Sequence, residues 1–289
     1  MSKSTNPLGV TKCGNIEFHW GKRTYVMGIV NMSPDSFSGD GNVDIDAAVE
    51  QALQFVAEGA DILDVGGEST RPGSPAVSAD TEIKRIVPVI ERLARQVTVP
   101  ISVDTYKLEV AEMALAAGAS MLNDQWGLKK EPKLAELAAK QGIPIILMSN
   151  QRDISSYDSA IKRDIAFYDD VITEVIKSLR HSITVAHEAG MPEENIIIDP
   201  GIGFGKTWQQ DIEIIRRLRE ITVLGRPILL GPSRKSLIKM VLNLPASERV
   251  EGTAATVAIG IANGADIVRV HDVKQMVRVC RMTDAIVRE

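Results

Sequence analysis

The sequence predicts an α/β protein of the (β/α)8 class, a TIM barrel, with a short N-terminal β-hairpin. The chain has 289 residues, a length typical of one α/β barrel. Its apolar fraction of 44% and charged fraction of 25% are those of a soluble globular protein. Eight short apolar segments alternate with helix-like stretches, as in parallel strands joined by helices. We therefore expect residues 1–289 to form a single barrel domain.

The eight predicted strands share one pattern, in which a few apolar residues lead into a polar cluster. A short apolar run without alternation is expected of a strand that is buried on both faces of a parallel sheet. In several copies a glycine precedes the run, as at the end of a helix where a positive φ is needed. The segments are TYVMGIVN (24–31), EGADILDVGGEST (58–70), VTVPISVDT (97–105), AGASMLNDQWG (117–127), QGIPIILMSN (141–150), NIIIDPG (195–201), LGRPILLGPSRKS (224–236) and NGADIVRVHDV (263–273).

Helix-like stretches lie between these strands. They are residues 46–58, 82–96, 107–117, 133–141, 164–189, 208–220 and 254–263. Residues from about 8 to 22 predict a hairpin outside the barrel, built around the turn-like pair Trp20-Gly21. A doubly wound open sheet is the alternative architecture, because it also alternates strands with helices.

Charge and composition exclude several classes of function. The net charge of −5 argues against general affinity for nucleic acids or anionic membranes, so an anion site would have to be a local cluster of basic groups. No apolar run approaches the length of a membrane span, and the first ten residues lack a signal-peptide core. The two cysteines, Cys13 and Cys280, are far apart and are expected to be reduced structural thiols. We expect a cytoplasmic protein.

Polar residues at the ends of the predicted strands indicate a site at one end of the barrel. In this class of fold the chemistry lies at the carboxyl ends of the strands. Residues from different strands should therefore converge there. They are Asn31, Asp64, Asp104, Asn123, Asp199, Lys235, Arg269 and His271.

The residue types indicate two kinds of ligand group. Arg269 and His271 are two apart on the last strand, beside Arg234 and Lys235 of the preceding loop, where barrels often bind phosphate. The carboxylates and the amide could bind a flat, nitrogen-rich ring. The alternatives are solvated charges for the basic residues, helix capping for Asp104 and Asn123, and a turn for Asp199 before Pro-Gly.

Three glycine-rich stretches complete the predicted site. Residues 31–42 and 66–74 are long loops, the first with oxygen atoms suited to Mg²⁺ and the second with phosphate donors at Thr70 and Arg71. The stretch DPGIGFGKT (199–207) resembles a phosphate-binding P-loop only superficially. Pro200 stands where that loop needs its first glycine, and proline has no N–H to donate.

Seven motifs in order, over nearly the whole chain, give the sequence a recognisable likeness. NMSPDSFSGDG, DVGGESTRPGS, SVDTYK, NDQWG, DPGIGFGK, PSRKS and RVHDV resemble those of the dihydropteroate synthase family of folate biosynthesis. The resemblance implies a (β/α)8 barrel, usually as a homodimer. It also implies the joining of p-aminobenzoate to 6-hydroxymethyl-7,8-dihydropterin diphosphate, with loss of pyrophosphate and with Mg²⁺ as cofactor.

The resemblance also implies roles for the matching residues. The pterin would be held by Asp104, Asn123, Asp199 and Lys235, and the diphosphate by Asn31, Thr70, Arg71, Arg269 and His271. The p-aminobenzoate would lie near Ser36, Phe37, Pro72, Phe204 and Ser236, with Asn31 as the Mg²⁺ ligand. The catalytic residues would be Asp104, Lys235 and Arg269. The loops 31–42 and 66–74 are expected to close over pterin and pyrophosphate, which would build the p-aminobenzoate site.

Departures from the family pattern concern the rim of the pocket. Ser149 stands where the family often has a histidine, and Gln125-Trp126 stands where small or aliphatic residues are usual. Two rival functions share the barrel. A corrinoid-dependent methyltransferase should lack the SPDSF and ESTRPG loops. A non-catalytic pterin-binding protein should have lost some of Asn31, Arg71, Lys235, Arg269 or His271. This chain has both loops and all five residues.

Overall fold

The structure, a computed structural model, describes residues 8–33, 44–69, 76–152 and 169–288. A hairpin comes first, made of β1 (Val10–Cys13) and β2 (Ile16–His19). Eight parallel strands follow it. They are β3 (Tyr25–Asn31), β4 (Ile62–Gly66), β5 (Ile101–Asp104), β6 (Met121–Asp124), β7 (Ile145–Met148), β8 (Ile196–Asp199), β9 (Leu229–Leu230) and β10 (Ile267–Val270).

Helices connect the strands around the outside of the sheet. They are α1 (Ile45–Ala57), α2 (Ala79–Ala94), α3 (Leu108–Ala116), α4 (Lys133–Gln141), α5 (Val171–Glu188), α6 (Trp208–Arg216), α7 (Ser236–Leu242), α8 (Val250–Ala262) and α9 (Val273–Val287). The helix predicted over 208–220 ends earlier, at Arg216, and a 3-10 segment covers Leu218–Leu224. None of the helices in the described ranges has the length and apolar content needed to cross a membrane.

The eight strands form a nearly closed barrel. Their order in the sheet is β8-β7-β6-β5-β4-β3-β10-β9. The two ends of this series meet at a parallel bridge between Ile198 and Ile228, and the Ile198 N–H donates to the Pro227 carbonyl at 2.9 Å. The predicted barrel is therefore confirmed, and the open doubly wound sheet is wrong.

The hairpin exists, but its turn is not where the sequence reasoning put it. Cys13 pairs with Ile16, so the turn residues are Gly14 and Asn15, and Gly14 has the positive φ of +58° that a two-residue hairpin loop favours. Trp20 is instead 6% exposed, and its indole N–H donates to the Thr11 hydroxyl at 2.8 Å. Trp20 therefore anchors the hairpin on the barrel, because a buried indole needs both packing and an acceptor.

Two apolar clusters surround the strands. The larger lies between the strands and the outer helices. The smaller fills the amino end of the barrel and includes the hairpin. Its buried members are Cys13, Phe18, Trp20, Tyr25, Met27, Ile62, Met121, Ile146, Ile197, Leu229 and Ile267. The hairpin thus closes the amino end, and the carboxyl end carries the polar residues.

Candidate active site

An arginine bound by two carboxylates occupies the carboxyl end of the barrel. Arg269 of β10 donates from Nε to Asp64 Oδ2 at 2.6 Å and from Nη2 to Asp104 Oδ2 at 2.7 Å. Asn123 donates its amide N–H to the same Asp64 oxygen at 3.0 Å. These residues come from four different strands, so the predicted convergence of β4, β5, β6 and β10 is confirmed.

Burial sets the charge states of this cluster. Burial raises the pKa of Asp104, and the Arg269 guanidinium opposes that rise. Burial lowers the pKa of Arg269, but Asp64 and Asp104 outweigh it and hold that pKa above its usual value. Asp64 Oδ1 and Asp104 Oδ1 are buried and have no hydrogen-bond partner among the described residues. Two acceptor oxygens are therefore available to a ligand that brings N–H donors.

The second half of the polar surface is formed by Asp199 at the end of β8 and by Lys235. Asp199 Oδ1 accepts from the Gly201 N–H at 2.7 Å, so the turn role considered for Asp199 is present. Burial raises the pKa of Asp199, and Lys235 opposes that rise. Burial lowers the pKa of Lys235 to about 8, and its ammonium donates to the Ile202 carbonyl at 2.6 Å. The Phe204 ring centroid lies 4.8 Å from the same ammonium.

The predicted cluster of four cationic groups is divided into separate pairings. His271 Nδ1 lies 2.9 Å from the Ser233 hydroxyl, and its backbone N–H donates to that hydroxyl at 3.2 Å. Arg234 forms a bidentate ion pair with Asp272 at 2.6 and 3.0 Å, which the sequence reasoning did not anticipate. Arg269 faces Asp64 and Asp104, as described above. Each of these side chains therefore has a protein partner.

The unusual residues after β6 are packed into the wall of the site. Asp124 fixes this turn, because its two oxygens accept from the Trp126 N–H at 2.8 Å and from the Leu128 N–H at 2.6 Å. The Gln125 carbonyl accepts from the Asn150 amide at 3.0 Å. Trp126 is 1% exposed and lies edge-to-face against Tyr106, with centroids 6.4 Å apart. The departure from the family pattern is therefore a well-packed element of the wall.

Sequence reasoning missed two buried lysine clusters beside the site. Lys107 contacts the nearly inaccessible carboxylates of Glu68 and Glu82, the latter at 2.5 Å. Lys206 donates to three backbone carbonyls and is 7% exposed. The one available signal was the position of Glu68, Lys107 and Lys206 shortly after predicted strands. Their partners were not visible in the sequence, because they lie in a different loop and in α2, as Glu68 and Glu82 do, or are backbone atoms.

The remaining predicted residues fall into two groups. Asn31 ends β3 and is half-buried, Phe204 is half-buried, and Ser236 begins α7. Ser36, Phe37, Thr70, Arg71 and Pro72 lie outside the described residues, as do most of the two loops expected to close. Within the described ranges, no group of three or more histidine, cysteine or acidic side chains could by itself hold a metal ion.

Comparison with known proteins gives consistent matches. A family model described as "Pterin binding enzyme" matches residues 27–271. The dihydropteroate synthase of Clostridium beijerinckii is 50% identical over 279 residues, 96% of this chain and 99% of that protein. A crystal structure of dihydropteroate synthase from Clostridium difficile in the presence of pteroic acid has a TM-score of 0.85 at 46% identity, and the match covers 94% of this chain and 100% of that one. The Xanthomonas albilineans dihydropteroate synthase with 4-aminobenzoic acid has a TM-score of 0.85 at 38% identity, with coverages of 96% and 97%.

Proposed function

We propose roles for individual residues from one premise: the chain belongs to the dihydropteroate synthases of the pterin-binding enzyme family. It is a transferase that condenses 6-hydroxymethyl-7,8-dihydropterin diphosphate with p-aminobenzoate, giving 7,8-dihydropteroate and pyrophosphate in folate biosynthesis. One observation carries the assignment of roles. Buried carboxylate oxygens without a partner among the described residues lie next to partly buried cations at the carboxyl end of the barrel.

The pterin ring is proposed to bind between the two halves of this polar surface. Asp104 and Asp199 accept hydrogen bonds from ring and exocyclic N–H groups, Asn123 supplies an amide, and Lys235 donates to the ring. The buried Oδ1 of Asp104 supports this role, because an unpaired buried acceptor is costly and a ligand N–H satisfies it. Asp64 accepts hydrogen bonds from Arg269 and Asn123 and so holds both side chains in position.

The diphosphate is proposed to lie on the Arg269 side of the ring. The bond between the pterin methylene carbon and the diphosphate oxygen breaks, and its electron pair leaves with the pyrophosphate. Arg269, His271 and Asn31, together with Thr70 and Arg71, stabilise the charge that collects there. Asp104 stabilises the cationic methylene that remains. The aniline nitrogen of p-aminobenzoate then forms the new C–N bond and loses a proton.

Mg²⁺ is proposed to arrive with the diphosphate. A magnesium ion usually takes one or two protein oxygens and completes its shell with phosphate oxygens and water. Asn31 fits this pattern, because it ends β3 at the carboxyl end of the barrel and carries an amide oxygen. When bound, the ion neutralises charge on the leaving pyrophosphate. Asn31 would hold the ion, and no further protein ligand is required among the described residues.

The p-aminobenzoate is proposed to lie near Phe204 and Ser236, with Ser36, Phe37 and Pro72 completing the site. The Phe204 ring lies near two cations, with the Arg152 guanidinium carbon at 4.7 Å and the Lys235 ammonium at 4.8 Å from its centroid. Two nearby cations suit a substrate that carries a carboxylate on an aromatic ring.

We also propose three properties of the whole protein, namely its domain organisation, its location and its oligomeric state. The chain forms one domain over residues 1–289 and acts in the cytoplasm, which the buried free thiols of Cys13 and Cys280 support. It forms a homodimer through the helices α7, α8 and α9, which carry exposed apolar side chains. These side chains are Met240, Val241, Leu242, Ile259, Met282, Ile286 and Val287. Sedimentation of the protein and of a Val241→Glu variant tests this, and a monomeric wild type would contradict it.

Release of pyrophosphate by the purified protein tests the residue roles and the need for Mg²⁺. We expect release only when the pterin diphosphate, p-aminobenzoate and Mg²⁺ are all present. A variant with Asn31→Ala should need a higher Mg²⁺ concentration, whereas Asn263→Ala, a surface amide that binds the Ile215 and Arg216 carbonyls, serves as the matched control. Full activity with a chelator present would remove Mg²⁺ from the mechanism.

A further inference from the structure

We propose that Lys206 is a positioning residue that fixes the loop 201–204 and thereby the Phe204 wall of the p-aminobenzoate site. The inference rests on the proposed function. Lys206 has no assigned role in binding either substrate, and it follows Gly205 directly in the stretch DPGIGFGKT. Its effect would be exerted through Phe204, which is half-buried and within reach of a ligand.

All three protons of the Lys206 ammonium are used by the backbone. Its Nζ donates to the Ser149 carbonyl at 3.1 Å, to the Gly201 carbonyl at 2.8 Å and to the Phe204 carbonyl at 3.0 Å. An ammonium has three donors, so none remains for a substrate. The residue is 7% exposed. Lys206 therefore acts on the protein. Together with the backbone bond from the Gln151 N–H to the Phe204 carbonyl at 3.3 Å, it joins the segment after β7 to the loop 201–204.

The two joined loops touch backbone to backbone. Gly201 and Gly205 have φ values of +73° and +71°. A Cβ on Gly201 would lie 2.3 Å from the Ser149 carbonyl oxygen, and a Cβ on Gly205 would lie 2.4 Å from the Gln151 carbonyl carbon. At these two glycines there is no room for a side chain between the loops. The carbonyls of Ser149, Gly201 and Phe204 therefore lie close together, and the Lys206 ammonium lies among them.

The loop that Lys206 holds is the one that presents Phe204. The centroid of the Phe204 ring lies 4.7 Å from the Arg152 guanidinium carbon and 4.8 Å from the Lys235 ammonium. Lys206 binds the Phe204 carbonyl directly, so its loss removes a hydrogen bond at that residue's own backbone and leaves the one from the Gln151 N–H at 3.3 Å. The backbone of Asp199 is held independently in β8, where it pairs in register with Met148, and its carboxylate shares only the Gly201 N–H contact with the loop. Asp104 and Asn123 are on other strands. Loss of Lys206 should therefore weaken the binding of p-aminobenzoate more than the binding of the pterin.

The charge of Lys206 supplies a second readout. Burial lowers its pKa to about 7, an effect that Asp211 and Asp199 oppose and that Lys235 and Lys129 reinforce. A lysine with a lowered pKa carries its full charge below that value and loses it as the pH rises through it. The neutral amine has two donors, so one carbonyl contact is lost above about pH 7.

The test replaces Lys206 by methionine and measures the two substrates separately. We expect Lys206→Met to raise the KM for p-aminobenzoate about 10-fold, with the dissociation constant of the pterin changed by less than about 3-fold. Across pH 6 to 8.5 the wild-type KM for p-aminobenzoate should rise with pH by more than that of Lys206→Met. Lys129→Met is the matched control, because Lys129 binds a single carbonyl, that of Asn150, and none in the loop 201–204.

Two results would overturn the proposal. One is an unchanged KM for p-aminobenzoate in a folded Lys206→Met protein. The other is an equal loss for both substrates, which would make Lys206 a general support of the barrel. If the methionine variant does not fold, Lys206→Gln, which keeps two amide donors, carries the same measurement. Failure of the proposed function would show differently, as absence of pyrophosphate release from the wild-type protein.

Discussion

At its amino end the barrel is filled by rings and aliphatic side chains, whereas at its carboxyl end it is filled by charges. The hairpin contributes Phe18, whose ring stacks 5.5 Å from Trp20 and lies edge-on 4.9 Å from Tyr25. The opposite end holds Arg269 between Asp64 and Asp104. Asp64 is as inaccessible as Phe18, so burial alone does not distinguish core from site.

Along a strand, the apolar layer of the amino end and the polar layer of the carboxyl end are two residues apart. Side chains two apart point to the same face of a strand, so residues i and i+2 occupy successive layers. In four strands the first of the pair belongs to the amino-end cluster and the second is polar. The pairs are Ile62 and Asp64, Met121 and Asn123, Ile197 and Asp199, and Ile267 and Arg269. Each of these four strands therefore contributes one residue to the apolar core of the amino end and, two positions further on, one residue to the polar site.

The largest effect is expected from removing the central cation. Arg269→Ala leaves two buried carboxylates without their partner, which should lower the free energy of unfolding by about 3–5 kcal/mol. It should also weaken the pterin diphosphate by about 1.5–3 kcal/mol more than the bare pterin alcohol. Chemical denaturation and calorimetry with both ligands measure the two losses. Equal weakening of the two ligands would make Arg269 purely structural.

A variant with an apolar triad sharpens that result. Asp64→Leu, Asp104→Leu and Arg269→Met together convert the carboxyl layer into a continuation of the amino layer. Such replacements of buried ion pairs are often neutral or stabilising, by up to about 4 kcal/mol. We expect a folded protein without pyrophosphate release. An unfolded triple variant would show that the charges are needed for the fold and not only for the reaction.

At the amino end we expect the reverse result, a loss of stability without a loss of activity. Phe18→Ala removes a fully buried ring from the hairpin cluster and should lower the free energy of unfolding by about 3–5 kcal/mol. The amino-end cluster around that ring has no predicted site residue among its described members, so kcat and both KM values should stay within about twofold of wild type at a temperature where the variant is folded. A loss of kcat in the folded fraction would mean that the two ends are coupled.

A smaller effect is expected from the charge of Asp199. Its pKa is raised above the ordinary value of 3.8 by burial, so its carboxylate is protonated at a higher pH than an exposed one. Pterin affinity should fall as the pH drops through that raised pKa, because a protonated carboxyl is a poorer acceptor. For the folding equilibrium the sign is opposite: the raised pKa favours the fold most below 3.8, and this contribution is lost as the pH rises through the folded pKa.

Asp199→Asn tests this directly. The variant should bind pterin about 10- to 100-fold more weakly at pH 8 and should lose the part of the acid dependence that comes from Asp199, since an amide does not titrate there. Calorimetry between pH 4.5 and 8 gives both profiles. If the variant kept the wild-type acid dependence, the titrating group would be another one.

The last comparison concerns the reactivity of the two cysteine thiols, where the smallest effect is expected. Burial raises the pKa of Cys13, in the amino-end cluster, to about 11 and that of Cys280 to about 12. Neither should react with an aromatic disulfide reagent at pH 8 while the protein is folded, and both should react in urea, because the thiolate is the reactive form. Rapid labelling of Cys13 in the native protein would show that the amino end opens, and a Cys280→Ser variant assigns the reaction.

Much of the site could be predicted because strand ends are visible in a sequence. An apolar run that stops at a polar residue locates Asp104, Asn123 and Asp199 without any knowledge of neighbours. The hairpin turn was placed wrongly because Trp20-Gly21 and Gly14-Asn15 are both turn-like, and only strand pairing distinguishes them. Lys206 could not be assigned, since its partners are three carbonyls that look like any others in a sequence.

The sequence by itself determined the number of strands, the end of the barrel that carries polar groups and, through seven motifs, the family. Each of these depends on local patterns of apolar, polar and glycine residues. The tertiary structure alone decided that Arg269 binds Asp64 and Asp104, which are 205 and 165 residues away, and that Arg234 pairs with Asp272. Such contacts exist only once the barrel closes, because closure brings the ends of different strands within hydrogen-bonding distance.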